Sequence, residues 1–246
     1  MKRQLSTNPI LLILAIVVIL SSCTKELNGE KTLSANDKQS KTSMSSPHSD
    51  TLKLSGGSSI LGFLSGSASA IGYGAASSDR TFYPSTELMT GIWTVSGSPF
   101  LFYGYFCTTR ALGTNPDDIQ TAYLQLYSNP TPINGDGVHA NYGTNNAFYV
   151  QRVIGSWDVT QMNLIRWGAL PGATTSDQVL VPHTSLASLD VTVDVTAMVK
   201  AAIRAGRTVI GFRLLPVSQS GLNMRNFVSC YHERTDLQPR LIINGF

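Results

Sequence analysis

The sequence predicts an all-β fold, a jelly-roll β-sandwich with one short helix, preceded by a signal peptide and a flexible tether. Three observations carry this. Apolar residues recur at every second position in several short runs, turn residues separate those runs, and charged residues are only 13% of the 246-residue chain. Period-two alternation puts one set of side chains inward and the other outward on a half-buried sheet. Many short strands punctuated by turn chemistry indicate a sandwich or jelly roll.

The chain begins with Met1-Lys2-Arg3 and continues through an uninterrupted aliphatic run, Ile10 to Leu20, which Leu20-Ser21-Ser22-Cys23 closes. The run is about half the roughly 20 residues that a membrane-spanning helix needs, so it reads as a signal-peptide core. Small residues just before a cysteine form a lipobox, which makes residues 1–22 a lipoprotein signal and Cys23 the lipidated first residue of the mature chain. The alternative is an ordinary cleaved signal with an incidental cysteine. The localisation expected is the bacterial cell envelope, lipid-anchored at the outer membrane and facing the periplasm or the surface.

Removing Lys2 and Arg3 with residues 1–22 takes the formal charge from +3 to +1. A near-neutral chain argues against nucleic acid as a partner, because phosphate binding needs a clustered basic face. From Thr24 to about Ser59 the chain is rich in Ser, Lys, Asn and Asp and has no aromatic residue. Such a segment buries too little surface to offset the entropy of ordering, and it reads as a tether. Gly56 to Ser78 carries small apolar islands and reads as a first edge strand or as continued linker. The expected division is 1–22 signal peptide, 23–75 lipidated Cys23 and tether, and 76–246 a single β-sandwich domain. About 170 residues suffice for a proper core, and a monomer is expected.

Within the domain, Leu101, Tyr103, Tyr105 and Cys107 alternate with Phe102, Gly104 and Phe106, and Ala122, Leu124 and Leu126 alternate with Tyr123, Gln125 and Tyr127. Ile210, Phe212 and Leu214 alternate with Gly211, Arg213 and Leu215, and Leu241 with Ile243 closes the chain. Asn115-Pro116-Asp117-Asp118, Asn129-Pro130, Asn134-Gly135-Asp136-Gly137 and Ser220-Gly221 are turns. One helix is predicted from Thr196 to Ala205. Asp194 caps it, Val195, Val199, Ala202 and Ile203 share a face, Arg204 suits the dipole, and Gly206 stops it.

With Cys23 taken by lipid, Cys107 and Cys230 remain, each in a strand-like segment; an oxidising envelope permits a bridge, and two buried thiols are the alternative. Catalytic signatures such as a nucleophile elbow, a zinc helix or a phosphate loop are absent from the sequence. His139 and His183 read as surface residues and His232-Glu233 lacks a second histidine, so no enzyme activity, cofactor or metal is expected. A structural Ca²⁺ has no support in the sequence.

Ile119 to Tyr127 reads I-Q-T-A-Y-L-Q-L-Y, and Val150 to Trp167 reads V-Q-R-V-I-G-S-W-D-V-T-Q-M-N-L-I-R-W. With Pro171, Gln178 to Pro182, Asp194-Val195-Thr196, Gly211 to Leu214, Phe227 to Ser229 and Pro239-Arg240-Leu241, this order resembles DNRLRE-type domains, a group similar to carbohydrate-binding-module family 96. The resemblance covers residues 100–246 and departs at Phe106-Cys107-Thr108-Thr109, at Arg166-Trp167-Gly168 and over Gly72 to Pro84. It implies a β jelly roll, some members of which bind acidic polysaccharide.

Sugar-binding sandwiches use flat rings to cover pyranose faces, and here Trp93, Trp157, Trp167, Tyr123, Tyr127, Tyr142 and Tyr149 are rings of that kind; core packing is the alternative for Trp157 and Trp167. Tyr123, Gln125 and Tyr127 form an outward row. Arg152 and Arg213 occupy strand positions from which a guanidinium can pair with a sugar carboxylate, or can lie solvated on the surface. The function expected is therefore a non-catalytic, lipid-anchored module that binds polysaccharide through Tyr123, Gln125, Tyr127, Tyr149, Arg152 and Arg213. The alternative is a structural or adhesive surface protein that contacts other proteins and has no sugar site.

Overall fold

The structure, a computed structural model, describes residues 50–51, 69–74, 77–82, 84–108, 115–155, 167–207 and 209–245. Cys23, Trp157 and the signal segment lie outside them. Among the described residues, thirteen strands and one α-helix run in the order β1 Asp50–Thr51, β2 Ser69–Gly74, β3 Ser77–Phe82, β4 Glu87–Val95, β5 Ser98–Cys107, β6 Ile119–Leu126, β7 Asn141–Tyr142, β8 Phe148–Val153, β9 Ala173–Val181, β10 Val191–Asp194, α1 Thr196–Arg204, β11 Gly211–Pro216, β12 Asn223–Val228 and β13 Arg240–Gly245.

The strands form two antiparallel sheets. A four-stranded sheet has the order β1-β13-β6-β10, and a nine-stranded sheet has the order β7-β12-β4-β5-β11-β8-β9, with β2 on β5 and β3 on β2. Ala122, Leu124 and Leu126 of β6 with Leu241 and Ile243 of β13 face Leu88, Phe106, Phe148, Val150, Phe212, Leu214 and Phe227 of the larger sheet in one core. The molecule is thus β-sandwich-like, as the alternation predicts. Two small clusters flank that core, one around Met89, Phe100, Phe102 and Met224, the other around Tyr105, Val153, Trp167 and Leu170.

The larger sheet curls at Gly104. A strand has two hydrogen-bonding edges, and β2 takes one of them along Phe100–Tyr105. The other is shared: β4 pairs with residues 98–102 and β11 with residues 104–107. At the hand-over a Cβ on Gly104 would lie 2.9 Å from Leu88 Cδ1 and 3.1 Å from the Met89 carbonyl oxygen. Glycine lets the departing strand β4 and the arriving strand β11 pass this close.

The helix spans Thr196–Arg204, as predicted to within a residue. The N-cap position is Val195, which has no side-chain cap bond; Asp194, read as the cap, lies one residue earlier and accepts the Thr196 N–H at 2.9 Å and its hydroxyl at 2.6 Å through Oδ1. Val199 and Ala202 are buried. Gly206, at φ +70°, ends the helix with a 2.8 Å bond from its N–H to Ile203 O and a 3.0 Å bond from Arg207 N–H to Ala202 O, the paired closure that favours glycine at this position.

Two readings that the sequence leaves open bear on this fold. Of the two readings for the cysteines, the structure carries no bridge between Cys107, which is buried, and Cys230, which is partly buried. Phe106 points into the central core, so the adjacent Cys107 leaves β5 on the opposite face, while Cys230 packs on the core side. Of the two readings for Gly56 to Ser78, residues 69–74 are a strand. β2 pairs with β5, and β1 pairs with β13, so paired strands occur upstream of the boundary placed at residue 75.

Candidate functional site

The residues expected to form one binding face fall in three places. Tyr123, Gln125 and Tyr127 lie on the outer face of the four-stranded sheet, and Ala122, Leu124 and Leu126 behind them are fully buried. The row is half-buried and engaged with its neighbours. Tyr127 Oη donates to Gln125 Oε1 at 3.0 Å, and the Arg240 guanidinium sits 5.4 Å from the Tyr127 ring centre. Arg152 lies opposite Phe212 in the β8–β11 ladder, hence on the core side, and its Nε meets Asp177 Oδ2 at 2.7 Å. Its charge is neutralised within the wall of the sandwich.

Arg213 lies opposite Gln151, and Tyr149 opposite Leu215, on the reverse face of the larger sheet. Adjacent strand residues point to opposite faces, so Arg152 and Arg213 cannot serve one ligand. Tyr149 and Arg213 do share a face.

Around Arg213 the reverse face holds an ordered set of groups. Arg213 Nε donates to Gln151 Oε1 at 2.9 Å, Nη2 donates to the same oxygen, and Nη1 lies 3.4 Å from Tyr105 Oη. Gln151 Nε2 in turn donates to Gln178 Oε1 at 2.6 Å, which fixes the amide that holds the guanidinium. The guanidinium carbon is 5.7 Å from the centre of the Tyr103 ring, and Tyr103 lies 4.7 Å from Trp167 at an interplanar angle of 36°. Tyr105 and Gln151 are buried, while Tyr103, Trp167 and Arg213 are half-buried and reach solvent.

Burial pushes the Tyr103 and Tyr105 phenols above their ordinary value, against the opposing pull of Arg213. Both rings therefore stay neutral at physiological pH. The described hydrogen-bond partners of Arg213 are neutral, and among the described residues no carboxylate forms an ion pair with it. A cation held in one orientation beside a ring that is itself packed on a second suits a ligand with a flat apolar face and an anionic or hydroxyl-rich edge.

Of this set, the sequence reading nominated Arg213 and Tyr149 and named Trp167 as an aromatic candidate. Tyr103 and Tyr105 appeared in it as strand alternation alone, and Gln151 and Gln178 not at all. Their signal is weak, since a glutamine on a strand becomes informative only when its partner across the ladder is known. The other aromatic candidates, Trp93 and Tyr142, meet edge to face at 4.9 Å, with Tyr142 exposed.

A shallow groove between α1 and β9 is lined by Val179, Asp194, Thr196, Ala197, Lys200 and Arg204. Among the described residues no cluster of His, Cys, Asp and Glu is arranged to hold a metal ion. His139 Nδ1 is 2.7 Å from Asp136 Oδ2 on an exposed turn, and His183 Nδ1 is 3.0 Å from Asn146 Oδ1. In comparisons with known proteins, no family model matches the chain and no curated protein matches it.

Proposed function

We propose that this chain is a lipid-anchored, non-catalytic module of the bacterial cell envelope that binds polysaccharide, with the Arg213 face as its ligand platform. The observation that supports this reading is the neutral clamp on Arg213, a guanidinium oriented by Gln151 and Tyr105 and set against the Tyr103 ring, on which Trp167 packs. The resemblance of residues 100–246 to DNRLRE-type domains supports a jelly-roll form of the sandwich and an acidic glycan. A shallow sheet face desolvates little of its ligand, so binding is expected at roughly micromolar to millimolar strength.

Affinity electrophoresis through gels containing acidic or neutral polysaccharides tests the reading. Arg213→Ala should weaken retention about tenfold, which corresponds to about 1.4 kcal/mol, and Tyr103→Ala should weaken it too. Raising the ionic strength should erode the Arg213 contribution and spare the ring contribution. Arg152→Ala removes a charge from the other side of the sheet and should leave retention unchanged. Failure of the wild type to bind any glycan would replace this reading with that of an adhesive protein.

The anchor has its own test. Each buried CH₂ contributes about 0.8 kcal/mol, so several acyl chains on Cys23 would hold the protein firmly to a membrane. Cys23→Ala should accumulate as an unprocessed precursor that incorporates no labelled fatty acid. Normal processing and lipid labelling in that variant would sink the anchor.

A further inference from the structure

Arg225, on β12, is the largest fully buried side chain among the described residues, at 0% exposure. Its guanidinium rests against a pair of packed rings, 5.5 Å from the centre of Phe148 and 5.4 Å from that of Phe227, whose centres are 5.7 Å apart. Nη2 donates to Leu189 O at 3.2 Å, whereas Nε and Nη1 are buried with no acceptor among the described residues. Burial pulls this guanidinium down to about 10, so it remains charged at neutral pH. Among the described residues no carboxylate forms an ion pair with it.

Both ladder partners of Arg225 carry polar side chains on the same face. Asn141 lies opposite on β7 and Thr90 opposite on β4. Asn141 Nδ2 donates to Leu186 O at 3.1 Å, but its Oδ1 is buried with no donor among the described residues. Thr90 Oγ gives its hydrogen to Leu214 O at 3.3 Å and keeps acceptor capacity. Two stranded donors and a stranded acceptor therefore belong to residues paired across neighbouring strands, where a buried polar group left unmatched is destabilising.

We infer that Arg225 and Asn141 together bind one ordered water, which accepts from Arg225 and donates to Asn141 Oδ1. The chemistry selects the ligand. A halide or carboxylate can accept from Arg225 but has no hydrogen for Asn141, whereas a water does both and satisfies the usual demand for two to four polar partners. The water completes a network that ties the segment 186–189 to the sheet, since Leu186 O, Ala187 O and Leu189 O receive Asn141 Nδ2, Asn141 N–H and Arg225 Nη2.

High-resolution crystals of the full chain, grown in detergent and also soaked in bromide, test this. The expected result is an oxygen about 2.7–3.2 Å from an Arg225 nitrogen and from Asn141 Oδ1, with no anomalous bromide signal there. An anomalous peak there would mean an anion site and overturn the inference. So would a direct Arg225–Asn141 hydrogen bond with nothing between. Asn141→Leu removes the acceptor, and relaxation dispersion of water oxygen should then count one fewer long-lived water. An unchanged count would also overturn it, and if that variant fails to fold the wild-type crystals decide.

Discussion

Glu87 shows how one residue can order a loop. Its carboxylate is 1% exposed and receives five N–H groups: the side-chain amides of Asn129, Asn134 and Asn226 and the backbone N–H groups of Ile133 and Asn134. Donors on every side make this an environment for an anion and an unsuitable one for a cation. The turn Asn134-Gly135-Asp136-Gly137 was legible from its residues, but the carboxylate that pins it was not. A lone glutamate before an apolar run reads as surface, and its donors lie 42 to 139 residues away. Glu87→Gln would turn an amide NH₂ toward groups that are themselves donors. We expect a loss of about 3 kcal/mol, from the unmatched buried groups, in urea unfolding, with faster amide exchange at Ile133 and Asn134. Unchanged stability and exchange would show that the cage forms without the charge.

At the scale of elements, what was legible is what local chemistry decides. The helix was read to within a residue because the Asp194 carboxylate at its start, its apolar face and its glycine stop all lie in or beside its own sequence. β5, β6, β11 and β13 announced themselves by alternation because one face of each meets the core. β12 did not, since all six of its residues are buried and a strand covered on both sides has no alternation to show. The helix also carries a pH-dependent prediction. Hydrogen bonds from the Thr196 hydroxyl and N–H hold the Asp194 carboxyl below its ordinary value. The stabilisation is thus fully present above the ordinary carboxylate value of about 3.9 and is lost as pH falls through the lower folded-state value. Asp194→Ala should cost about 1 kcal/mol at neutral pH, toward the low end because the group is largely solvated. Thermal unfolding of the two proteins should differ at pH 7 and converge at strongly acidic pH. A gap that persists in acid would mean that the carboxylate charge is not what caps the helix.

Across the whole molecule, the limit of sequence reading is the phase and pairing of strands. Arg152 and Arg213 could be placed on strands, but a one-residue phase decides that they leave opposite faces, and Gln151 becomes Arg213's partner only through a ladder 62 residues away. The same blindness affects the domain boundary. Residues 24–75 look dispensable by composition, yet Ser69–Gly74 runs along Phe100–Tyr105 of β5. A chain beginning at residue 76 would leave that edge of β5 without its ladder partner, with an unpaired row of N–H and C=O groups on a strand rich in aromatic residues. A few net hydrogen bonds at about 0.5–1.5 kcal/mol each would lower the melting midpoint by roughly 5 °C in a domain of this size. A chain beginning at Ser45 keeps both β1 and β2 and should melt with the full-length protein. Calorimetry of the three proteins, with light scattering to detect edge-to-edge association, measures the difference. If the chain from residue 76 melts with the other two and stays monodisperse, β2 adds nothing to the sandwich, and the domain begins where composition alone would start it.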